Sequence, residues 1–110
     1  MKIQVIALTT ICFSVMPSLA QDRSISVIGS GQSSCAAWIT GNASADYQAV
    51  GWILSFWSGS NRFSQSPNNG DTVDVAGLVQ RVRMECERRP DWVLMHVAGL
   101  VYDEYQREGR

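Results

Sequence analysis

Few side chains in this sequence are of types that do chemistry, and their spacing withholds most of it. There is a single histidine, His96. That excludes an HExxH pair and any site built from several imidazoles. On a helix His96 lies beside an apolar stripe, where packing or a place at the rim accounts for it. A Cys–His nucleophile would need a free thiol. Beyond Cys12 the chain has two cysteines, Cys35 and Cys86, and two cysteines in an exported chain most simply pair with each other. Free thiols, a metal site or an intermolecular bond are the competing readings, and there is no CxxC to favour a metal. Neither GxSxG nor a P-loop is present, and Gly29-Ser30-Gly31 reads as a flexible pair. Carboxylate chemistry stays open, although the acidic residues fall on capping or solvent-facing positions. The expectation is a protein that is not an enzyme, with no catalytic residue, no metal and no cofactor.

Two further patterns have ordinary structural explanations. Asn68, Asn69, Asp71 and Asp74 faintly resemble a calcium loop, but the spacing is not that of an EF-hand and no glutamate closes it, so a structural loop is expected. Asn42-Ala43-Ser44 matches a glycosylation sequon, and is read as a turn followed by a helix cap. What remains is recognition chemistry. Aromatic and arginine side chains anchor protein interfaces. They collect in two places: Trp57, Arg62 and Phe63 towards the end of a central helix, and Arg88, Arg89 and Trp92 around a turn. Tyr102 and Tyr105, if exposed, would add to such a surface.

The elements that must carry these residues follow from the pattern of the chain. Met1-Lys2 is a short basic start. Residues 3–15 are apolar and uncharged, and Ser18 and Ala20 are the small residues that a signal peptidase reads. This predicts a signal peptide over 1–20, cleaved before Gln21. The competing reading is a membrane anchor, but the apolar run is well short of the roughly 20 residues of a bilayer span. No later segment is long and apolar enough to span a membrane. The mature chain would be periplasmic or secreted, about 90 residues in one domain. A chain that small buries only about 60–65% of its unfolded surface. A bond between Cys35 and Cys86 would offset part of that weakness, contributing roughly 4 kcal/mol in the chain-entropy picture.

Lys2 is the only lysine. Without it the cations are eight arginines set against ten carboxylates, a charge of about −2. No basic stripe is present, so nucleic acid and anionic membrane surfaces are not indicated as partners.

Residues 21–33 are polar and rich in glycine and serine, and are expected to form an extended arm. A helical domain over 34–110 follows. Ser34 is expected to cap a short helix over 35–40 that carries Trp38. Ser44 is expected to cap the central helix, 45–63, with Tyr47, Val50, Leu54 and Trp57 on its buried stripe, widened by Ile53 and Phe56. Gly51, Ser55 and Gly59 recur at spacings of four and are read as close contact points for neighbouring helices, with Gly59 as a candidate helix end. Asp71 or Thr72 would cap a third helix reaching about 88. There Val75, Leu78, Val79, Val82 and Cys86 form a core stripe, and Arg81, Arg83, Glu85, Glu87, Arg88 and Arg89 a solvated face. Pro90 ends it. Asp91 would cap a fourth helix from 92 to about 107, its stripe made by Leu94, Val97, Ala98, Val101 and Tyr105. The fold class is all-α, a compact domain of three to four helices.

The order Ser34-Cys35-x-x-Trp38, then Tyr47-x-x-x-Gly51-Trp52-x-x-x-Phe56-x-x-Gly59, then Asp74-x-x-Gly77-Leu78-x-x-x-Val82-x-x-x-Cys86, then Pro90-x-x-x-Leu94 resembles small exported bacterial proteins of the HdeA-like superfamily. The superfamily includes periplasmic acid-stress chaperones, and the order also resembles immunity proteins that neutralise type VI secretion amidase toxins. The resemblance covers nearly all of the mature chain and consists of framework residues. It implies the helical fold, a Cys35–Cys86 bond and a protein partner, as an inhibitor or immunity-type factor. The other implied role is an acid-activated chaperone, a dimer at neutral pH, which leaves room for a homodimer here. Ten protonatable carboxylates suit that role, whereas a mature chain without lysine departs from the chaperones' pattern. An accessory envelope protein without an activity of its own is the third reading.

Overall fold

The computed structural model describes residues 26–110. The expected signal peptide over 1–20 and the first part of the arm, 21–25, lie outside the described residues. The rest is helical: a 3-10 turn Gly29–Gln32, then α1 Cys35–Ile39, α2 Ala43–Phe63, α3 Val75–Arg88 and α4 Leu94–Glu108. No strand forms among the described residues; one isolated antiparallel bridge joins Ser34 to Val93. Cys35 and Cys86 are bonded, tying α1 to α3.

Side-chain caps set most of the helix starts. The Ser34 hydroxyl accepts from the Ala37 N–H at 3.2 Å, as expected. Asn42, rather than Ser44, caps α2 by accepting from Ala45 N–H at 3.0 Å. Its amide oxygen reaches the third backbone N–H of the helix from a position two residues earlier. Asp74, rather than Asp71 or Thr72, caps α3 by accepting from Gly77 N–H at 2.6 Å. Asp91 caps nothing: α4 starts after Val93, which offers no side-chain acceptor. The Leu94 N–H instead donates to the Ser33 carbonyl at 2.9 Å, so the arm satisfies one of the orphan donors of that helix start.

The core is one cluster. Leu78, Val82 and Cys86 enter it from α3; Leu94, Val97, Ala98, Val101 and Tyr105 enter it from α4, together with Tyr102. On α2 the buried stripe is Ala49, Ile53 and Trp57. Trp57 and Ile53 are buried as expected, but the stripe is centred further round the helix than its other members: Tyr47 is 83% exposed, and Val50, Leu54 and Phe56 are only half-buried. Val75, placed on the α3 stripe, is also exposed. Glu85 moves the other way. It belongs to the expected solvated face and is only 4% exposed.

Two expectations about glycine fail on α2. The helix runs past Gly59 to Phe63, and a Cβ added at Gly51 or Gly59 would meet nothing within 4 Å. Neither residue is a contact point for a neighbouring helix among the described residues. Each weakens α2 by about 1 kcal/mol relative to alanine, with no compensating contact among the described residues.

The arm is docked over its last residues rather than simply extended. The Trp52 indole lies flat against Gly31, where any Cβ would overlap the ring, and its N–H donates to the Ile28 carbonyl at 2.9 Å. Residues 28–34 therefore form a strap across α2 and the start of α4.

Candidate protein-binding surfaces

The six residues singled out for recognition do not converge. Arg83 of α3 lies 3.7 Å from Asp46 in the first turn of α2, so the C-terminal half of α3 packs beside the N-terminal end of α2. Arg62 and Phe63 lie sixteen and seventeen residues further along α2, roughly 24 Å away at 1.5 Å per residue. The structure thus separates Arg88, Arg89 and Trp92, at a corner between α3 and α4, from Arg62 and Phe63 at the opposite end.

Trp57 belongs to neither surface. It is 4% exposed, with Tyr102 and Tyr105 against it edge-to-face at centroid distances of 5.1 and 5.5 Å. Its indole N–H donates to the Asn69 carbonyl at 3.0 Å. Tyr102 and Tyr105 are buried as well, so neither offers an exposed aromatic face. Gly70 follows in the left-handed region at φ +89°, and a Cβ there would stand 2.7 Å from the Trp57 indole nitrogen. The loop between α2 and α3 is therefore part of the core's lid. Asn69 anchors it, donating from its side chain to the Tyr102 carbonyl at 3.0 Å, while Asn61 donates to the Asn69 carbonyl at 2.9 Å. Asn68, Asn69 and Asp71 serve this loop. Among the described residues no group of three or more His, Cys, Asp or Glu side chains is placed to hold a metal.

At the end of α2, Phe63 is 85% exposed, and the Arg62 guanidinium sits 5.6 Å from its ring centroid. This is a small exposed pair on the last turn of the helix, beside the C-cap Ser64.

The α3–α4 corner is more densely connected. The Arg89 guanidinium stacks on Trp92 at 4.2 Å from the ring centroid. Beneath it lies the buried Glu85 carboxylate. Arg81 Nη1 donates to Glu85 Oε1 at 2.8 Å, and Arg81 Nη2 reaches Glu104 of α4 at 2.8 to 2.9 Å. Arg88 Nη1 and Arg89 Nε each stand 3.5 Å from a Glu85 oxygen. The hydrogen bond from Arg81 holds the Glu85 carboxyl below the usual carboxylate range; burial opposes this, and the charges of Arg81 and Arg88 add to it. Burial alone would lower the Arg81 pKa, but its hydrogen bonds to Glu104 and Glu85 outweigh that and raise it.

The corner backbone is held by α1. Cys35 N–H donates to the Trp92 carbonyl at 2.7 Å and Ala36 N–H to the Pro90 carbonyl at 2.8 Å. The Cys35–Cys86 bond lies directly behind. Arg88 is left largely exposed, and Arg89 and Trp92 are about two-fifths exposed. Sequence reasoning found Arg88, Arg89 and Trp92 but missed Glu85, which holds the arginines. The one signal for it was its spacing, four residues after Arg81, three before Arg88 and four before Arg89.

No helix among the described residues is long and apolar enough to cross a membrane. The chain matches no protein-family model, no curated protein and no solved structure.

Proposed function

We propose that this is a small periplasmic or secreted protein, HdeA-like in kind, that binds another exported protein without catalysing a reaction, as an inhibitor or immunity-type factor would. The observation that carries the reading is the corner of Arg88, Arg89 and Trp92. An arginine already stacked on a tryptophan, over a backbone clamped by α1 and the disulfide, loses little freedom on binding. Such pairs of arginine and tryptophan anchor interfaces. The Arg88 guanidinium is largely exposed and can pair with a carboxylate of a partner. The disulfide supports an oxidising compartment.

The test is co-purification from periplasmic extract with the wild-type protein and with an R88A/W92A variant. A stoichiometric partner held by the wild type and lost by the variant supports the reading. Recovery of none, or equal recovery by both, overturns it.

A second reading is an acid-activated chaperone, favoured by the buried Glu85. Its carboxylate neutralises arginines in a site that loses its counter-charge when acid protonates it. The expected outcome is suppression of client aggregation near pH 2–3 and none near neutrality. Client aggregation that is unchanged at both pH values ends that reading.

A further inference from the structure

Asn69 and Gly70 make the only Asn–Gly step in the chain. No other step leaves an asparagine so labile: with no side chain on the following residue, the next backbone nitrogen reaches the asparagine amide carbon unhindered. The fold nevertheless demands both residues. Gly70 has a positive φ, and a Cβ there would press on the Trp57 indole, so only glycine fits without strain. Asn69 is 3% exposed, and its side-chain amide donates to the Tyr102 carbonyl at 3.0 Å. A carboxylate of the same shape has no proton to give there.

The same contacts immobilise every atom of the reaction. The nucleophile would be the Gly70 nitrogen, and its N–H donates to the Arg110 carbonyl at 3.2 Å. The peptide that carries it is pinned at its other side, where the Asn69 carbonyl accepts from Trp57 Nε1 at 3.0 Å and from Asn61 Nδ2 at 2.9 Å. The leaving group, Asn69 Nδ2, is held by the Tyr102 carbonyl. Asn69 Oδ1, on which negative charge would develop, is buried with no hydrogen-bond donor among the described residues. Charge on an oxygen so placed is costly.

We propose that Asn69 is a self-modification site, silent in the closed fold and activated when the loop between α2 and α3 opens. Once the loop lifts, the Gly70 nitrogen loses its proton to solvent and attacks Cγ of Asn69. The bond from Cγ to Nδ2 breaks, ammonia leaves with a proton, and a cyclic succinimide remains. Water then opens one of the two imide C–N bonds, giving aspartate or isoaspartate. Water is the only co-reactant, and Pro67, Asn68 and Asp71 around the pair are exposed, so it is at hand. Neither product restores the loop. A carboxylate would meet the Tyr102 carbonyl acceptor to acceptor in a buried site, and isoaspartate adds a backbone atom to a turn packed against Trp57. A domain that stays open long enough therefore cannot close again.

The experiment is peptide mapping by mass spectrometry, resolving isoaspartate from aspartate, after timed incubation at neutral pH. In urea, Asn69 should convert ahead of Asn42, Asn61 and Asn68, and G70A should suppress that conversion. In the folded protein the rate at Asn69 should be at least about a hundredfold lower, because a slow reaction through the open form follows its population. Along a urea series below the unfolding transition, conversion at Asn69 and hydrogen exchange of the Gly70 amide should rise in proportion. N61A, which takes one donor from the Asn69 carbonyl, should speed conversion in the folded protein about tenfold and leave the rate in urea unchanged. N69D should unfold at lower urea than the wild type. Conversion as fast in the folded protein as in urea overturns the proposal. So does conversion that fails to follow Gly70 exchange, a folded N61A that converts no faster than the wild type, or N69D protein as stable as the wild type.

Discussion

At the N-terminal end of α2, Trp38 donates its indole N–H to the Asp46 carboxylate at 2.9 Å, with Arg83 5.3 Å from its ring centroid. At the other end Trp57 donates to a backbone carbonyl, with Tyr102 and Tyr105 against its ring. The same side chain closes both ends of the core. Around Trp38 the supporting contacts are ionic and covalent: Asp46, Arg83, the cluster on Glu85, and Cys35–Cys86. Around Trp57 they are neutral: asparagine amides, carbonyls and aromatic edges. The disulfide end is therefore sensitive to redox state, pH and salt, and the loop end to packing. The corner of Arg88, Arg89 and Trp92 on the first end can respond to its surroundings while the second keeps the core closed.

The largest effect should come from the loop end. W57A removes a buried indole and leaves the Asn69 carbonyl with one donor fewer; the expected loss is about 3–5 kcal/mol. Urea titration followed by circular dichroism checks it, and a loss below 1 kcal/mol would break the contrast. Next comes the covalent tie. Replacing Cys35 and Cys86 together by alanine should destabilise the domain by about 4 kcal/mol, because the bond closes a loop across 51 residues. Hydrogen exchange should then rise most in α1 and at the α3–α4 corner. A rise confined to the loop end would contradict the assignment.

E85Q should cost about 2 kcal/mol at neutral pH, since it leaves Arg81 and its neighbours without their buried counter-charge. The carboxyl pKa is lowered in the folded state. Its stabilisation is thus present above the unfolded value and fades as pH falls below about 4.3. The gap in stability between wild type and E85Q should narrow over that range, and a constant gap from pH 7 to 3 would rule the linkage out. The smallest effect is R62A. Its cation–π contact is exposed and worth about 0.5–1 kcal/mol, so the melting temperature should fall by no more than a few degrees.

The helices α3 and α4 were legible because charge marks their wet sides. With arginines and glutamates on one face, Leu78, Val82 and Cys86, and then Leu94, Val97, Ala98 and Val101, could only be the other. On α2 that contrast is missing. Without a charge between Tyr47 and Asn61, large residues read as buried and small ones as contacts, whereas Ala49 is inside and Tyr47 outside. Glu85 misled for the opposite reason. A carboxylate reads as solvent-facing unless its counter-charges are placed, and Arg81, Arg88 and Arg89 reach it from adjacent turns of its own helix and cap. The strap was illegible because what docks it is Trp52, more than twenty residues away, while Gly29-Ser30-Gly31 by itself looks only flexible. Of the candidate surfaces, the corner was readable from its residue types, and Trp57 was misplaced because an aromatic near a helix end suits core and surface alike.

The four tryptophans sit at four different junctions: Trp38 where α1 meets α2 and α3, Trp52 under the strap, Trp57 beneath the loop between α2 and α3, and Trp92 at the α3–α4 corner. The molecule thus carries an intrinsic fluorophore at each seam. Four variants, each keeping one indole and replacing the other three by phenylalanine, would report seam by seam. Emission wavelength and quenching would reveal the order in which the domain opens under acid, reductant or a bound partner, without any attached dye.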